Sequence, residues 1–313
     1  MDPVHRWTIV GLCAMAAVWV APKIDLPLHL LNRHNHDSHA PEQGSQRGQE
    51  LMLDRTFDVR SGGTLAVDVP DGDVEIRAGS DSRATVRVYV SARDMGWGRE
   101  VFDRMEFAVA ASADRVTVRA RSPRIHSDEW RANQGVGVKV ELTVPRDFNA
   151  DISTSDGDID MGSLDGRVEL HSSDGDIHFG TLRGPHVTIA TSDGDVVGEM
   201  LAAERVTLET SDGDVDVTMA AGTARISTSD GDIQLHLVNP AEVDLSTGDG
   251  DITIFADPSL RADVELRGED VHMASPFKLE GRIMRGGATG TLNGGGPLLV
   301  AETGDGSISI RNR

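Results

Sequence analysis

Aromatic residues are scarce in this chain of 313 residues, only 4 % of the total, with a single tyrosine. Burial of apolar surface therefore falls to Val, Ile, Leu and other aliphatic side chains, and the core they can build is thin. Cysteine is scarcer still. Cys13 is the only one, which excludes an internal disulfide or a multi-thiolate metal centre. Positive charge is also in deficit, 30 Lys and Arg against 51 Asp and Glu, for a net charge of −21. From Asp151 to Ala256 there are 22 acidic residues against Arg167, Arg183, Arg205 and Arg225, a difference of −18. Nucleic-acid binding depends on Lys and Arg neutralising phosphate, so this surface argues against it. An anionic membrane surface is disfavoured for the same reason. Cations, basic protein patches and neutral glycans remain as partners. Phosphate-cradling glycine loops and metal triads are missing as well.

The one extended apolar run, Trp7 to Ala21, follows His5 and Arg6 and ends at Pro22. Its 15 residues fall short of the ~20 that span a membrane comfortably and fit a secretory signal better, with an uncleaved signal anchor as the alternative. Leu12 precedes Cys13 where a lipoprotein signal has a small residue, which argues against lipidation. Residues 23–50 read as a polar linker. His29, His34, His36 and His39 crowd it, and imidazole is a common zinc or copper ligand. No cysteine or carboxylate spacing completes a site, so they are read as part of a solvated segment.

What the chain has in abundance is one tripeptide. Asp-Gly-Asp followed by Val or Ile begins at Asp156, Asp174, Asp193, Asp212, Asp230 and Asp249, at intervals of 18, 19, 19, 18 and 19 residues. So short and regular a period marks stacked coils in which no unit can bury its apolar face alone. A late copy, Asp305-Gly306-Ser307-Ile308, lies 56 residues after Asp249, and two degenerate coils are expected between, turning near Gly268-Glu269-Asp270-Val271 and Gly286-Gly287. An early copy at Asp71-Gly72-Asp73-Val74 stands 85 residues before the first regular one.

Within a unit, apolar and polar residues alternate. Val206 and Leu208 precede the turn at Asp212-Gly213, and Val215, Val217 and Met219 follow it. Period-two alternation means strands with one face buried. Glycine is expected to supply a positive φ at the turn, and aspartate to accept backbone hydrogen bonds. A second turn closes each unit, as at Ala220-Ala221-Gly222 or Asn239-Pro240-Ala241. Thr154, Ser172, Thr191, Thr210, Thr228 and Thr247 stand two positions before each turn aspartate. By parity their hydroxyls point inward and form a ladder along the coil axis. Parallel coils and an antiparallel meander both fit the alternation, and identical turns at constant spacing favour coils. Eight or nine coils at ~4.8 Å give a rod on the order of 40 Å.

Residues 51–149 share the strand character without the strict period, as in Thr64–Val69, Ala84–Val90, Arg115–Arg119 and Val136–Val144. Gly96-Trp97-Gly98 and Ser122-Pro123 read as turns. This portion is expected to cap the first open edge of the solenoid. The fold expected is all-β, a β-solenoid of 18–19-residue coils over 150–313 with a less regular N-terminal β portion.

Gly62-Gly63-Thr64-Leu65, Asp71-Gly72-Asp73-Val74, Val140-Glu141-Leu142-Thr143-Val144-Pro145 and the Ser-Asp-Gly-Asp turns together resemble a family of bacterial exported β-strand-repeat domains of unknown function. These are described as putative adhesins and are akin to the head-GIN type of putative autotransporter adhesin. The resemblance runs from about Phe57 to Ile310. It implies a β-solenoid outside the cytoplasm, commonly tethered to the envelope, and carries no catalytic residues.

The chemical potential lies in the repeated carboxylates. In stacked coils Asp156, Asp174, Asp193, Asp212, Asp230 and Asp249 form one column, and Asp158, Asp176, Asp195, Asp214, Asp232 and Asp251 a second. Like charges at ~5 Å repel by roughly 1 kcal/mol per pair even in water. Either backbone N–H groups offset this locally, with solvent ions screening the rest, or calcium binds at these twelve residues. The turn role is the expectation and calcium the alternative; no other cofactor is implied.

Carboxylate catalysis in a β-helix needs a few non-repeating groups with contrasting environments. Here the carboxylates are equivalent, and His171, His178, His186, His236 and His272 are scattered. The chain is therefore read as non-enzymatic. His126, Asp128, Glu129 and Trp130 could gather in a cleft but read as an exposed loop. The expected function is an exported structural or adhesive module at the cell envelope, holding a protein or glycan. A calcium-responsive binding module and an accessory in envelope signalling are the alternatives.

Overall fold

The computed structural model describes residues 48–79, 82–123 and 135–313. The apolar run with Cys13, the linker histidines and the group from His126 to Trp130 lie outside the described residues.

The N-terminal strands are β1 (Gly48–Asp58), β2 (Thr64–Asp68), β3 (Asp73–Gly79) and β4 (Arg83–Ala92); after helix α1 (Met95–Arg104) come β5 (Ala108–Ser112), β6 (Arg115–Arg119) and β7 (Gly137–Pro145). The regular repeats give β8 (Asn149–Ser153), β9 (Ile159–Met161), β10 (Leu164–Asp165), β11 (Val168–His171), β12 (Ile177–Ala190) and β13 (Val196–Glu209). They continue through β14 (Val215–Met219), β15 (Thr223–Ser227), β16 (Ile233–Leu237), β17 (Glu242–Thr247) and β18 (Ile252–Ala256). The last strands are β19 (Ala262–Arg267), β20 (Asp270–Met273), β21 (Leu279–Met284), β22 (Gly287–Leu292), β23 (Leu298–Thr303) and β24 (Ser307–Asn312).

Repeats stack parallel and in register, so the meander is excluded. Before the turn, Ala150, Val168, Val187, Val206, Ala224 and Val243 are successive partners. After it, Ile159, Ile177, Val196, Val215, Ile233 and Ile252 are. All twelve are buried. One-residue slippage would turn every one of them to solvent, which is why the register is strict. Each fully buried Val, Leu or Ile contributes about 1.5–3 kcal/mol, so the stack is held by column after column of aliphatic contact.

The early and late copies are members of this stack, though not where chain order suggests. Leu65 and Val74 pair with Ala150 and Ile159, so the coil turning at Gly72 lies directly on the coil turning at Gly157. The coil made by β6 and β7 lies on its other side, with Val116 against Leu65 and Val140 against Val74. At the far end β23 and β24 pair with β17 and β18 through Val243↔Leu299 and Ile252↔Ile308. The late copy therefore follows Asp249 immediately, which corrects the expectation of two coils between them. The turn near Gly268 belongs to the coil of β19 and β20, which lies outside β23 and β24. Gly286-Gly287 closes an antiparallel hairpin instead of a coil, β21 pairing with β22. Counted along the pre-turn ladder, β6, β2, β8, β11, β12, β13, β15, β17, β23 and β19 make ten layers, more than the eight or nine expected. Their length is on the order of 45 Å at normal strand spacing.

Both ends are covered by antiparallel strands. β4 pairs with β7 and β1 with β4, while β22 pairs with β19. The outermost β1 carries a register shift between Leu51 and Leu53, an irregularity that blunts an edge against further pairing. Gly96-Trp97-Gly98, expected as a turn, is helical in α1. Asp94 caps it by accepting from Gly96 N at 2.8 Å and Trp97 N at 3.3 Å. Two glycines oppose a helix, but a Cβ at Gly98 would already stand 3.0 Å from Ala92 Cβ, so close packing on β4 outweighs propensity.

Candidate functional site

The corner built by the repeated tripeptide is the most regular side-chain arrangement in the molecule. Each inward hydroxyl bridges two coils. Thr210 accepts from Gly213 N at 3.3 Å and donates to Gly194 O of the preceding coil at 3.3 Å. Thr247 does the same with Gly250 N and Gly231 O, and Thr303 with Gly306 N and Gly250 O. The expected hydroxyl ladder is thus present, with glycine carbonyls as its alternate rungs. Glycine is required by this stacking and not by conformation. A Cβ at Gly213 would lie 1.9 Å from Gly194 O, and one at Gly250 2.0 Å from Gly231 O. None of the corner glycines is among the residues with positive φ, which corrects the conformational reading. Gly222, in the second turn, does have positive φ, at 94°.

The two aspartate columns differ. Asp158, Asp176, Asp195, Asp214 and Asp232 each accept, through Oδ1, the backbone N–H of the corresponding aspartate in the next coil, at 2.7 to 3.0 Å. Asp251 closes the series by accepting from Ser307 N at 2.7 Å and its hydroxyl at 2.9 Å. Charge-assisted bonds of this length are among the stronger kinds. The first column, Asp156, Asp174, Asp193, Asp212, Asp230 and Asp249, is exposed throughout. Among the described residues no three His, Cys, Asp or Glu side chains converge on a point suited to a metal ion.

At the start of the second column, partial burial raises the Asp73 carboxyl above its ordinary value, opposed by the N–H of Asp158 and reinforced by the Asp158 carboxylate. One layer outward, the Lys139 ammonium bonded to Glu75 holds that carboxyl below its ordinary value, and Glu75 raises Lys139 in return. Their Nζ–Oε2 distance is 2.5 Å.

The outward strand faces are less uniform than the corner. His236 stacks on Phe255 of the next coil, ring centroids 4.5 Å apart and planes 10° apart, with Asp216 Oδ1 3.7 Å from Nε2. Burial pushes the imidazole down and the Asp216 carboxyl up from their ordinary values. On the pre-turn strands Arg167, His186 and Arg205 occupy one column, His186 pairing with Arg205 and Arg167 standing one residue before the Val168↔Val187 pair. Neither group was singled out from the sequence. The column has its own 19-residue spacing, and applying the repeat to outward positions would have exposed it.

Among solved structures, a putative adhesin from Bacteroides fragilis NCTC 9343 is similar at 12 % identity, covering 86 % of this chain and 99 % of its own, with a TM-score of 0.47. A putative lipid binding protein from Parabacteroides distasonis ATCC 8503 is similar at 14 % identity, covering 84 % and 94 %, with a TM-score of 0.43. A putative adhesin from Parabacteroides merdae ATCC 43184 is similar at 10 % identity, covering 83 % and 95 %, with a TM-score of 0.39. No curated protein matches. Residues 62–311, nearly the whole described solenoid, match the domain described as Toastrack DUF4097, and the chain belongs to that family.

Proposed function

We propose that this chain is a non-enzymatic, exported β-solenoid acting as a structural or adhesive module at the cell envelope, where its strand faces hold a protein or glycan. The observation that carries this reading is the fate of the second aspartate column: its carboxylates are engaged in binding one coil to the next. Recognition then falls to the outward strand faces, displayed at fixed spacing on a stiff rod. Solenoids characteristically offer extended surfaces of this kind.

Capture of partners from cell-envelope extract, with and without a calcium chelator, tests the reading. Capture of an envelope protein or glycan in both conditions supports it. Loss of capture on chelation, with a rise in melting temperature at millimolar calcium beyond that at equal ionic strength, replaces it with the calcium-responsive module. Recovery of a membrane sensor replaces it with an accessory role in signalling, and failure to capture anything in either condition sinks it.

A further inference from the structure

The regular repeats from Asp151 to Ala256 are strongly acidic, and most of their few cations gather on one strip. Of the four arginines between Asp151 and Ala256, Arg183 lies 3.6 Å from Asp165, while Arg167, Arg205 and Arg225 share the outward face of the pre-turn ladder. Val187, Val206 and Ala224 point inward, so the alternating residues His186, Thr188, Arg205, Thr207 and Arg225 point out. Arg167, His186, Val187, Thr188, Arg205 and Thr207 line a shallow groove of about 220 Å³. Arg205 and Thr207 also line an adjoining one of about 460 Å³ that reaches Arg225.

The cations in this strip are not equally occupied. Arg167 Nε donates to Glu169 at 2.8 Å, and Arg225 stands 3.6 Å from Asp244. Arg205 is exposed and has no carboxylate partner among the described residues. An unpaired guanidinium set between His186 in register and Arg225 one coil on is an open bidentate donor for a carboxylate.

We propose that the Arg167–His186–Arg205 strip binds the carboxylates of an acidic glycan lying along the rod axis. This rests on the envelope-binding reading and gives that reading a ligand class. A thin polymer fits because the strip is narrow. Glu242 lies at the C-terminal end of its own column, and Asp244, Glu169 and Glu209 flank it. A broad anionic surface would meet those carboxylates, whereas a single chain following the column meets guanidinium, imidazole and hydroxyl. Arg167 and Arg205 are two coils apart, about 10 Å at normal strand spacing, so anionic groups repeated along a chain can engage both.

The test is titration of the full chain by oligogalacturonate, its methyl ester and an oligoglutamate of similar charge, by calorimetry at low and moderate salt. The expected result is binding of oligogalacturonate alone, weakening with salt, and reduced about tenfold or more by Arg205→Glu. Arg311→Glu, an equal charge change on the post-turn strand β24, should leave it intact. Equal binding of the ester, equal binding by Arg205→Glu, or no binding at low salt would overturn the proposal, and equal binding of oligoglutamate would redirect the strip to acidic protein. If Arg205→Glu still captures the envelope partner, the strip fails while the function stands. If the wild type captures nothing, the function itself fails.

Discussion

At the scale of single residues, the corner distinguishes side chains that look interchangeable in the repeat. Asp195 accepts the N–H of Asp214 at 2.8 Å, while Asp193, two residues earlier, is exposed. Asp195→Ala should cost about 1–3 kcal/mol by stranding that N–H, and Asp195→Asn much less because an amide oxygen can still accept. Asp193→Ala should fall within about 0.5 kcal/mol of wild type. Denaturant melts of the three variants check the contrast. Thr210→Val should likewise cost about 1–3 kcal/mol, since Gly213 N and Gly194 O lose their shared hydroxyl. The Glu75–Lys139 pair sets a pH window. Glu75 is lowered in the fold, so its contribution is complete above its unfolded value near 4.5 and disappears as pH falls through the folded value. Lys139 is raised, so its contribution is complete below 10.5 and disappears as pH rises through its folded value. The gap in melting temperature between wild type and Glu75→Gln should therefore be widest near neutral pH and close in acid.

At the scale of elements, deleting β23 and β24 is the decisive experiment. Both strands have parallel neighbours on each side, β17 and β18 inward, β19 and β20 outward. Truncation after Pro297 should abolish the cooperative transition of the C-terminal layers and remove amide protection from β17 to β22, read by hydrogen exchange. The middle of the solenoid was legible because Val187 and Val206, like Val196 and Val215, recur at the repeat interval and stacking follows chain order there. The ends were not legible from period alone, because stacking order departs from chain order. A clue was nevertheless present: Thr303, Asp305 and Gly306 keep the corner chemistry that Gly268 and Glu269 have lost, and the intact corner lies on the intact corner at Gly250. Helix α1 escaped because Gly96 and Gly98 signal a turn, and only close packing on Val90 and Ala92 makes the small size of Gly98 useful to a helix. Of the candidate site, both aspartate columns were legible; their division of labour was not, since it depends on which oxygen reaches the next backbone.

At the scale of the whole molecule, charge is the dominant liability. The exposed first column sets like charges about 5 Å apart along the rod, within a net charge of −21. Sodium chloride should therefore raise the melting temperature steadily up to a few hundred millimolar, as screening shortens the reach of that repulsion. A fall with salt would mean that the paired charges such as Glu75 and Lys139 matter more than the column. The displaced order of the terminal coils has a consequence of another kind. The place between β17 and β19 is filled by β23, which follows β19 in the chain, so a growing chain holds two unsatisfied sheet edges until residues 298–312 have emerged. Closure of that end of the fold then waits on these two strands, and a chain interrupted before Leu298 shows open sheet edges to proteases.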